Sequence, residues 1–190
     1  MFVAAALLSL SSVKADLETA KVFVQNTANE TLAFLNNKDV PIDTKKKEFE
    51  AIIDKNFNLK TIAKFVLARH WKQADEADRD EFISLFKTSM SSTYVNRFDE
   101  YQVDHIEVYD ARDESDGGIM VQSKVSRPEG QDVRVDWKVF EKDGQFRVYD
   151  VLLDGISMSI SLRSEYAAVI QKGNGQLSHL NNVLRAKYTE

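Results

Sequence analysis

The segment of residues 148–163 constrains the fold of this chain more than any other stretch. From Phe146 to Val151 the side chains alternate between two faces, and this period of two indicates a half-buried β-strand. Gly155 interrupts the alternation at a position suited to a turn. Apolar residues then recur at helical spacing, at Leu162, Tyr166, Val169 and Ile170. The segment therefore predicts a final strand that turns sharply into a helix lying over the sheet.

Before this segment, the hydrophobic period changes once along the chain. Up to Tyr101 the apolar residues follow helical spacing, in stripes that we assign to four helices, the third with Asn58 as its N-cap and Trp71 at its end. Strand-like runs then occupy residues 103–109, 119–127, 132–141 and 145–151, separated by tight turns. Short turns between consecutive strands indicate an antiparallel meander. We predict an α+β fold: an antiparallel, twisted sheet of about four strands covered by N-terminal and C-terminal helices.

Composition excludes several classes of function. The chain has 190 residues, enough for one domain with a sizeable core, and a net charge of -5 that disfavours general binding of nucleic acid. It contains no cysteine, which excludes disulfides, zinc-thiolate sites and thiol catalysis. We find no run of Lys and Arg dense enough to indicate an anionic membrane surface, because Asp43, Glu48 and Glu50 offset the run at residues 45–47.

The first fifteen residues are typical of an export signal. An apolar run from Phe2 to Leu10 is followed by Ser11 and Ser12 and then by Ala15, a small residue where a signal peptidase would cut. The run is shorter than the roughly 20 apolar residues that span a bilayer. We therefore expect residues 1–15 to be a signal peptide, although no positive segment precedes the apolar run in this sequence, and residues 16–190 to form a single exported domain.

Few polar residues have catalytic character. His105 and Glu107 share one face of a strand, but no third metal ligand is evident, so a polar sheet face is the simpler interpretation. Asp150 and Asp154 bracket the bend before Gly155, and a buried carboxylate there would serve as a general base. The simpler interpretation is that Asp150 pairs with an arginine and that Asp154 shapes the turn. Ser157 is better explained as a helix cap than as a nucleophile.

Large apolar side chains are the remaining signal. They occupy the inward stripes of the helices and strands, and such stripes usually pack against each other as a core. A helix layer bowed away from a curved sheet would instead leave a cavity for an apolar ligand. Periodicity alone does not distinguish a filled core from a cavity.

Three segments resemble the MlaC family, also called the toluene-tolerance auxiliary proteins, in the order that the family has them. The first is Phe57-Asn58-Leu59 with the helix ending at His70-Trp71, the second is residues 78–86 with Tyr94, and the third and most specific is residues 148–151 with Gly155-Ile156-Ser157-Met158 and Arg163. Together the segments span nearly the whole chain from Asp16 onward. One departure is that Ala68-Arg69 stands where the family usually has a glycine.

The resemblance implies an apolar cavity between the sheet and the helices that holds phospholipid acyl chains, with the head group near solvent. It implies no enzymatic activity and no cofactor or metal. It also implies a periplasmic monomer that exchanges lipid with an inner-membrane ABC transporter complex and an outer-membrane lipoprotein complex. Arg147 and Arg163 are candidates for phosphate contact. The residues expected to contact the acyl chains are Val66, Phe82, Phe86, Tyr94, Phe98, Val139, Val148, Tyr149, Val151, Ile156, Met158, Leu162 and Tyr166.

Two other functions are compatible with the same patterns. A cone-shaped α+β enzyme would use Asp150 or Asp154 as a base in a narrow pocket. A chaperone for lipoproteins would hold acyl chains that are linked to a peptide. The identity of the cargo distinguishes both from a phospholipid carrier.

Overall fold

The computed structural model describes residues 5–101, 103–128 and 130–189, and within them the chain forms seven helices and five strands. The predicted α+β class is confirmed. The helices are α1 Ala5–Leu35, α2 Ile42–Asn56, α3 Leu59–Leu67, α4 Arg69–Gln73, α5 Glu76–Tyr101, α6 Met158–Lys172 and α7 Leu177–Tyr188. The strands are β1 His105–Asp113, β2 Ile119–Ser126, β3 Val133–Lys142, β4 Gln145–Leu153 and β5 Ile156–Ser157.

The sheet is an antiparallel meander in the order β1-β2-β3-β4-β5. Four strands match the sequence prediction, and the two-residue β5 is an addition to it. Asp154 and Gly155 form the turn between β4 and β5, both with positive φ (48° and 82°). Gly155 adopts its positive φ without strain because it has no Cβ. The turn places Ser157 directly before α6, where its hydroxyl accepts a hydrogen bond from the Ile160 N–H, as the cap prediction required.

The two faces of the sheet differ in polarity. The face turned toward the helices carries Val121, Val125, Val135, Trp137 and Val139, while the opposite face carries charged side chains such as Lys124 and Lys138. This alternation is what a sheet with one covered face requires. Asp136 on the outer face is buried but paired, since Arg134 donates to both of its carboxylate oxygens at 2.9 and 2.6 Å.

The helices pack in three regions, the smallest of which joins Ala28 and Leu32 of α1 to Val103 and Ile106. One end of α1 lies on the sheet, where Ala20 and Val24 contact the inner-face residues of β2, β3 and β4. Helices α3, α5, α6 and α7 form a separate helical core around Phe82, Phe86 and Tyr166, whose rings lie between 5.4 and 6.2 Å apart. The region between these two cores is where the helix layer stands away from the sheet.

The third predicted helix is interrupted before its end. We expected one helix from Asn58 to Trp71, but α3 ends at Leu67 and α4 begins at Arg69. Ala68 lies between them with φ 50° and ψ -120°, a conformation that a Cβ disfavours. Asn58 caps α3 as predicted, since its side chain accepts from the Thr61 N–H.

The expected signal peptide stays a prediction. Residues 1–4 lie outside the described part of the chain, and α1 runs without a break from Ala5 past the expected cleavage position after Ala15. Among the described residues, no helix combines the length and apolar character that crossing a bilayer demands.

Candidate functional site

An apolar cavity of about 160 Å³ lies between the inner face of the sheet and helices α1, α2, α3, α5 and α6. Every strand except β5 contributes to its wall. The lining residues are Thr27, Ala28, Thr31, Phe49, Ile52, Phe57, Ile62, Phe86, Met90, Tyr94, Phe98, Ile106, Val125, Val135, Trp137, Asp150, Val151, Leu153, Met158, Ser159 and Leu162. Almost all of the surface that they present is apolar, which suits hydrocarbon and excludes most polar ligands.

The polar atoms of Trp137, on the sheet side of the cavity, and of its neighbour Ser123 already have hydrogen-bond partners within the protein. The Trp137 indole N–H donates to the Ser123 hydroxyl at 3.0 Å, and that hydroxyl donates to the Val135 carbonyl at 2.7 Å. A buried indole N–H needs such a partner. The ring therefore presents only its apolar surface to the cavity.

The helical side is an aromatic stripe on α5. Phe86, Met90, Tyr94 and Phe98 recur every four residues, so that they lie on one face of the helix and line the cavity along three turns. The Tyr94 ring packs against Phe49 of α2, with the ring centroids 6.5 Å apart. Burial raises the pKa of Tyr94 to about 12, so its hydroxyl stays neutral at physiological pH.

Asp150 joins the sheet to the start of α6. Its Oδ1 accepts from the backbone N–H groups of Val151 at 2.9 Å and Ser159 at 3.0 Å, and its Oδ2 accepts from the Ser157 hydroxyl at 2.5 Å. A carboxylate at a helix N-terminus also interacts favourably with the helix dipole. The expectation that Asp150 pairs with an arginine is wrong, because these three donors hold the carboxylate instead.

The structure brings six of the thirteen predicted contact residues together on the cavity wall: Phe86, Tyr94, Phe98, Val151, Met158 and Leu162. Val66, Phe82 and Tyr166 lie instead in the helical core, and Val139 and Val148 lie under α1. Tyr149 packs on Phe140 at 4.8 Å and accepts a hydrogen bond from Asn58 at 2.7 Å. Ile156 is 64% exposed. Hydrophobic periodicity identified the positions that face inward, but it does not tell which of them line the cavity and which pack in a filled core.

Sequence reasoning missed the contribution of α1 to the wall. Thr27, Ala28 and Thr31 lie on its inward face, opposite the aromatic residues of α5. These three side chains are small, and two of them place a hydroxyl on a backbone carbonyl of their own helix, at 2.9 and 2.8 Å. Small residues facing large ones leave space between two elements. The run of small residues at positions 27, 28 and 31 was the available signal.

The other sequence candidates lie apart from the cavity wall. Arg147 donates to the carbonyl of Phe146 and to the side chain of Gln145, and Arg163 lies over the exposed ring of Phe65, 5.3 Å from its centroid. Asp154 shapes the turn, as expected, and accepts from the backbone N–H of Arg134. Within the described ranges, no group of three or more His, Asp or Glu side chains has the arrangement of a metal site.

Comparison with known proteins matches this chain to a family model and to solved structures. The family model described as MlaC protein matches residues 25–186. Among solved structures, the fold matches that of a phospholipid-binding protein from Ralstonia solanacearum in complex with a phospholipid, with a TM-score of 0.76. The two chains are 20% identical, and the superposition covers 90% of this chain and 97% of the other. A search of curated proteins finds no match.

Proposed function

This chain belongs to the MlaC family, and from that premise we propose that it is a phospholipid carrier that holds acyl chains in the apolar cavity. The carrier would work in the periplasm and shuttle lipid between an outer-membrane lipoprotein complex and an inner-membrane ABC transporter complex. The apolar lining of the cavity is the observation that carries the proposal. The phospholipid complex of the structurally similar Ralstonia solanacearum protein supports it.

The energetics of acyl-chain burial support this role. Each methylene group transferred from water to an apolar site gains roughly 0.8 kcal/mol, so a few methylenes per tail give useful affinity without contacts to the head group. The cavity walls offer hydrocarbon and aromatic surface for these contacts. Among the described residues, Asp150 is the one charged side chain on the wall, and three hydrogen bonds already engage its oxygens.

The size of the cavity requires it to widen during loading. Its volume of about 160 Å³ is close to that of an engineered cavity of about 150 Å³ that accommodates benzene. A phospholipid is far larger than benzene. The start of α6 is suited to move because it is covered on one side only. Met158, Ser159 and Leu162 contact the cavity, while Ile160, on the same turns, is exposed to solvent. Breaking the hydrogen bonds to Asp150 would free this end of α6. Lipid then stabilises the open state because it binds that state more tightly than the closed state.

One observation favours an enzyme as the second candidate: a carboxylate, Asp150, and a neutral phenol, Tyr94, lie on the wall of one apolar pocket. Ketosteroid-isomerase-type sites combine such groups. The carboxylate, however, serves the N-terminus of α6, where its two oxygens accept three hydrogen bonds. The carrier is therefore the better account, and no step of catalysis follows from the geometry.

Mass spectrometry of the native cargo tests the proposal. The protein is purified from the periplasm without detergent, extracted with organic solvent and compared with Ala28→Phe, a variant designed to fill the cavity. We expect free phospholipid at near-stoichiometric amounts in the wild type and a large loss in the variant. Extracts that repeatedly lack phospholipid, or that contain only peptide-linked acyl chains, would refute it, and the second result would identify a lipoprotein chaperone.

A further inference from the structure

The segment around α3 and α4 has an unusual charge for this acidic protein. Residues 55–74 carry five Lys or Arg side chains and no Asp or Glu, while the whole chain has a net charge of -5. Lys55 forms an ion pair with Glu30 at 2.8 Å. The other four cations, Lys60, Lys64, Arg69 and Lys72, are exposed, and none forms an ion pair with a carboxylate of the described residues.

Helix α3 directs these charges outward together with an aromatic ring. Its buried face consists of Leu59, Ile62, Ala63, Val66 and Leu67. Lys60, Lys64 and Phe65 therefore face solvent, and Phe65 remains 44% exposed. An exposed phenylalanine between lysines, on a helix whose other face is fully packed, is a combination typical of helices that lie on a membrane surface.

Helix α6 adds a second apolar strip and a fifth cation beside α3. The Arg163 guanidinium lies 5.3 Å from the centroid of the Phe65 ring, which fixes the contact between the two helices. Ile160 lies one turn before Arg163 on the same side of α6 and is 58% exposed. Ile156, just before α6, is 64% exposed. Exposed apolar side chains thus continue from α3 onto α6.

A shallow crevice lies among the cations at the α3–α4 junction. Its lining includes Lys64, Ala68, Trp71, Lys72 and Arg79. The Trp71 ring lies beneath two of these cations, because the Lys64 ammonium and the Arg79 guanidinium are each 5.6 Å from its centroid. Arg79 also donates to the carbonyl of Trp71 at 2.7 Å, so it is held in place. The Lys64 ammonium over the indole, together with Lys72 on the wall of the same crevice, offers a site for a phosphate group.

We propose that this basic-apolar surface, formed by Lys60, Lys64, Phe65, Arg69, Lys72, Ile156, Ile160 and Arg163, docks on a bilayer that contains anionic phospholipid. This inference rests on the proposed carrier function and names a membrane contact for it. The cations face the lipid phosphates, and the three exposed apolar side chains enter the boundary between head groups and acyl chains.

The position of the cavity favours a bilayer over an acidic protein partner. Met158 and Leu162 of α6 line the cavity, whereas Ile160 and Arg163 of the same helix belong to the basic-apolar surface. Docking therefore places the helix that borders the cavity against the membrane from which lipid enters. The carboxylates of an acidic protein would pair with the cations only, and the exposed side chains of Ile156 and Ile160 would have no contact that explains them.

Flotation with liposomes tests the proposal. The vesicles are either pure phosphatidylcholine or a mixture with 30% phosphatidylglycerol, and each protein is scored by the ratio of its binding to the two kinds of vesicle. The test variant combines Lys60→Gln, Lys64→Gln, Arg69→Gln and Lys72→Gln. The control removes four exposed charges elsewhere, by Lys38→Gln, Lys47→Gln, Lys142→Gln and Lys172→Gln. All eight side chains are exposed, so both variants are expected to fold.

We expect the wild type to bind the anionic vesicles more tightly than the neutral ones, and added salt to weaken this binding. A cation that lies against the membrane contributes about fivefold to such binding, so the test variant, which lacks four of them, should lose about several hundredfold. The control, whose four cations lie elsewhere on the protein, should lose less than about threefold. Ile160→Ser should also weaken binding. Equal losses in the test and control variants would overturn the proposal, as would equal binding of the wild type to both vesicles. The second result would leave an acidic protein as the occupant.

The cargo distinguishes this inference from the carrier function. None of the four substituted cations of the test variant lines the cavity, so lipid extracted from that variant should equal that of the wild type. Normal cargo with no preference for anionic vesicles would reject the docking surface alone. Absence of cargo in the wild type would reject the carrier function.

Discussion

Replacing Ala28 with leucine tests whether the space beneath the helices is available for hydrocarbon. Ala28 is 2% exposed and lies on the cavity wall. Leucine adds three carbon atoms, and filling empty apolar space with them gains up to about 2.4 kcal/mol. For a chain of this size we therefore expect the Tm of the lipid-free protein to rise by up to about 5–10 °C. Thermal unfolding of delipidated protein, followed by circular dichroism, measures the shift.

The same substitution should weaken lipid binding. Three carbons of leucine would occupy the volume of about three methylene groups of an acyl chain, which costs about 2.4 kcal/mol, or about 60-fold in Kd. Displacement of a fluorescent fatty-acyl probe by phospholipid gives this ratio. Ala28→Leu is thus expected to increase stability and decrease affinity by similar free energies, because lipid and side chain compete for one space.

Ala20→Leu is the matched control. Ala20 lies on the same helix, is fully buried, and packs in the filled cluster against β2, β3 and β4. The three added carbon atoms have no space there, so overpacking should cost about 1–3 kcal/mol. The two variants should therefore shift the Tm in opposite directions. If Ala28→Leu lowers the Tm as much as Ala20→Leu does, the cavity is not usable space and the reasoning fails.

Three further predictions concern single side chains. Asp150→Asn should lower the free energy of unfolding by about 1–3 kcal/mol in urea, because it removes an acceptor from a hydrogen-bonded carboxylate, and unchanged stability would contradict this role. Ala68→Gly should stabilise the protein by about 1 kcal/mol by relieving its positive φ, whereas Ala167→Gly inside α6 should destabilise it by a similar amount. Burial raises the pKa of Tyr94 and Tyr166 to about 12. The unfolded state therefore loses phenolic protons first, and stability should fall between about pH 10 and pH 12. Ultraviolet titration that shows every tyrosine ionising near pH 10 in the folded protein would exclude this.

The order of elements was predictable because it depends on local properties of the chain. A change from helical spacing to alternation fixes where strands replace helices, and tight turns between consecutive strands fix the antiparallel order. The caps Asn58 and Ser157 were predictable for the same reason, since a cap needs only its own next turn. Ala68 was not, because its helical propensity favours continuation of α3. The packing of α3 and α4 overrides that propensity.

The candidate site was only half predictable. Phe86 and Phe82 are both buried aromatic residues of the helical core on α5, yet only Phe86 also borders the cavity. Hydrophobic periodicity reports which face of an element points inward, and both residues satisfy it equally. Their separation depends on how far the facing helix stands from the sheet. The distance between helix and sheet depends on the volumes of the side chains on α1, such as Ala28. The hydrophobic pattern of α5 therefore gives no information about it.

The basic-apolar surface shows the same limit. Its cations occur about once per helical turn, so the sequence contains no dense run of charge, and Arg163 and Phe65 are almost a hundred residues apart. The sequence by itself determined the α+β class, the strand order and the turn that starts α6, because each depends on interactions between near neighbours. Tertiary structure alone decided where space remains and which exposed groups lie together, because both depend on the packing distance between elements remote in the chain.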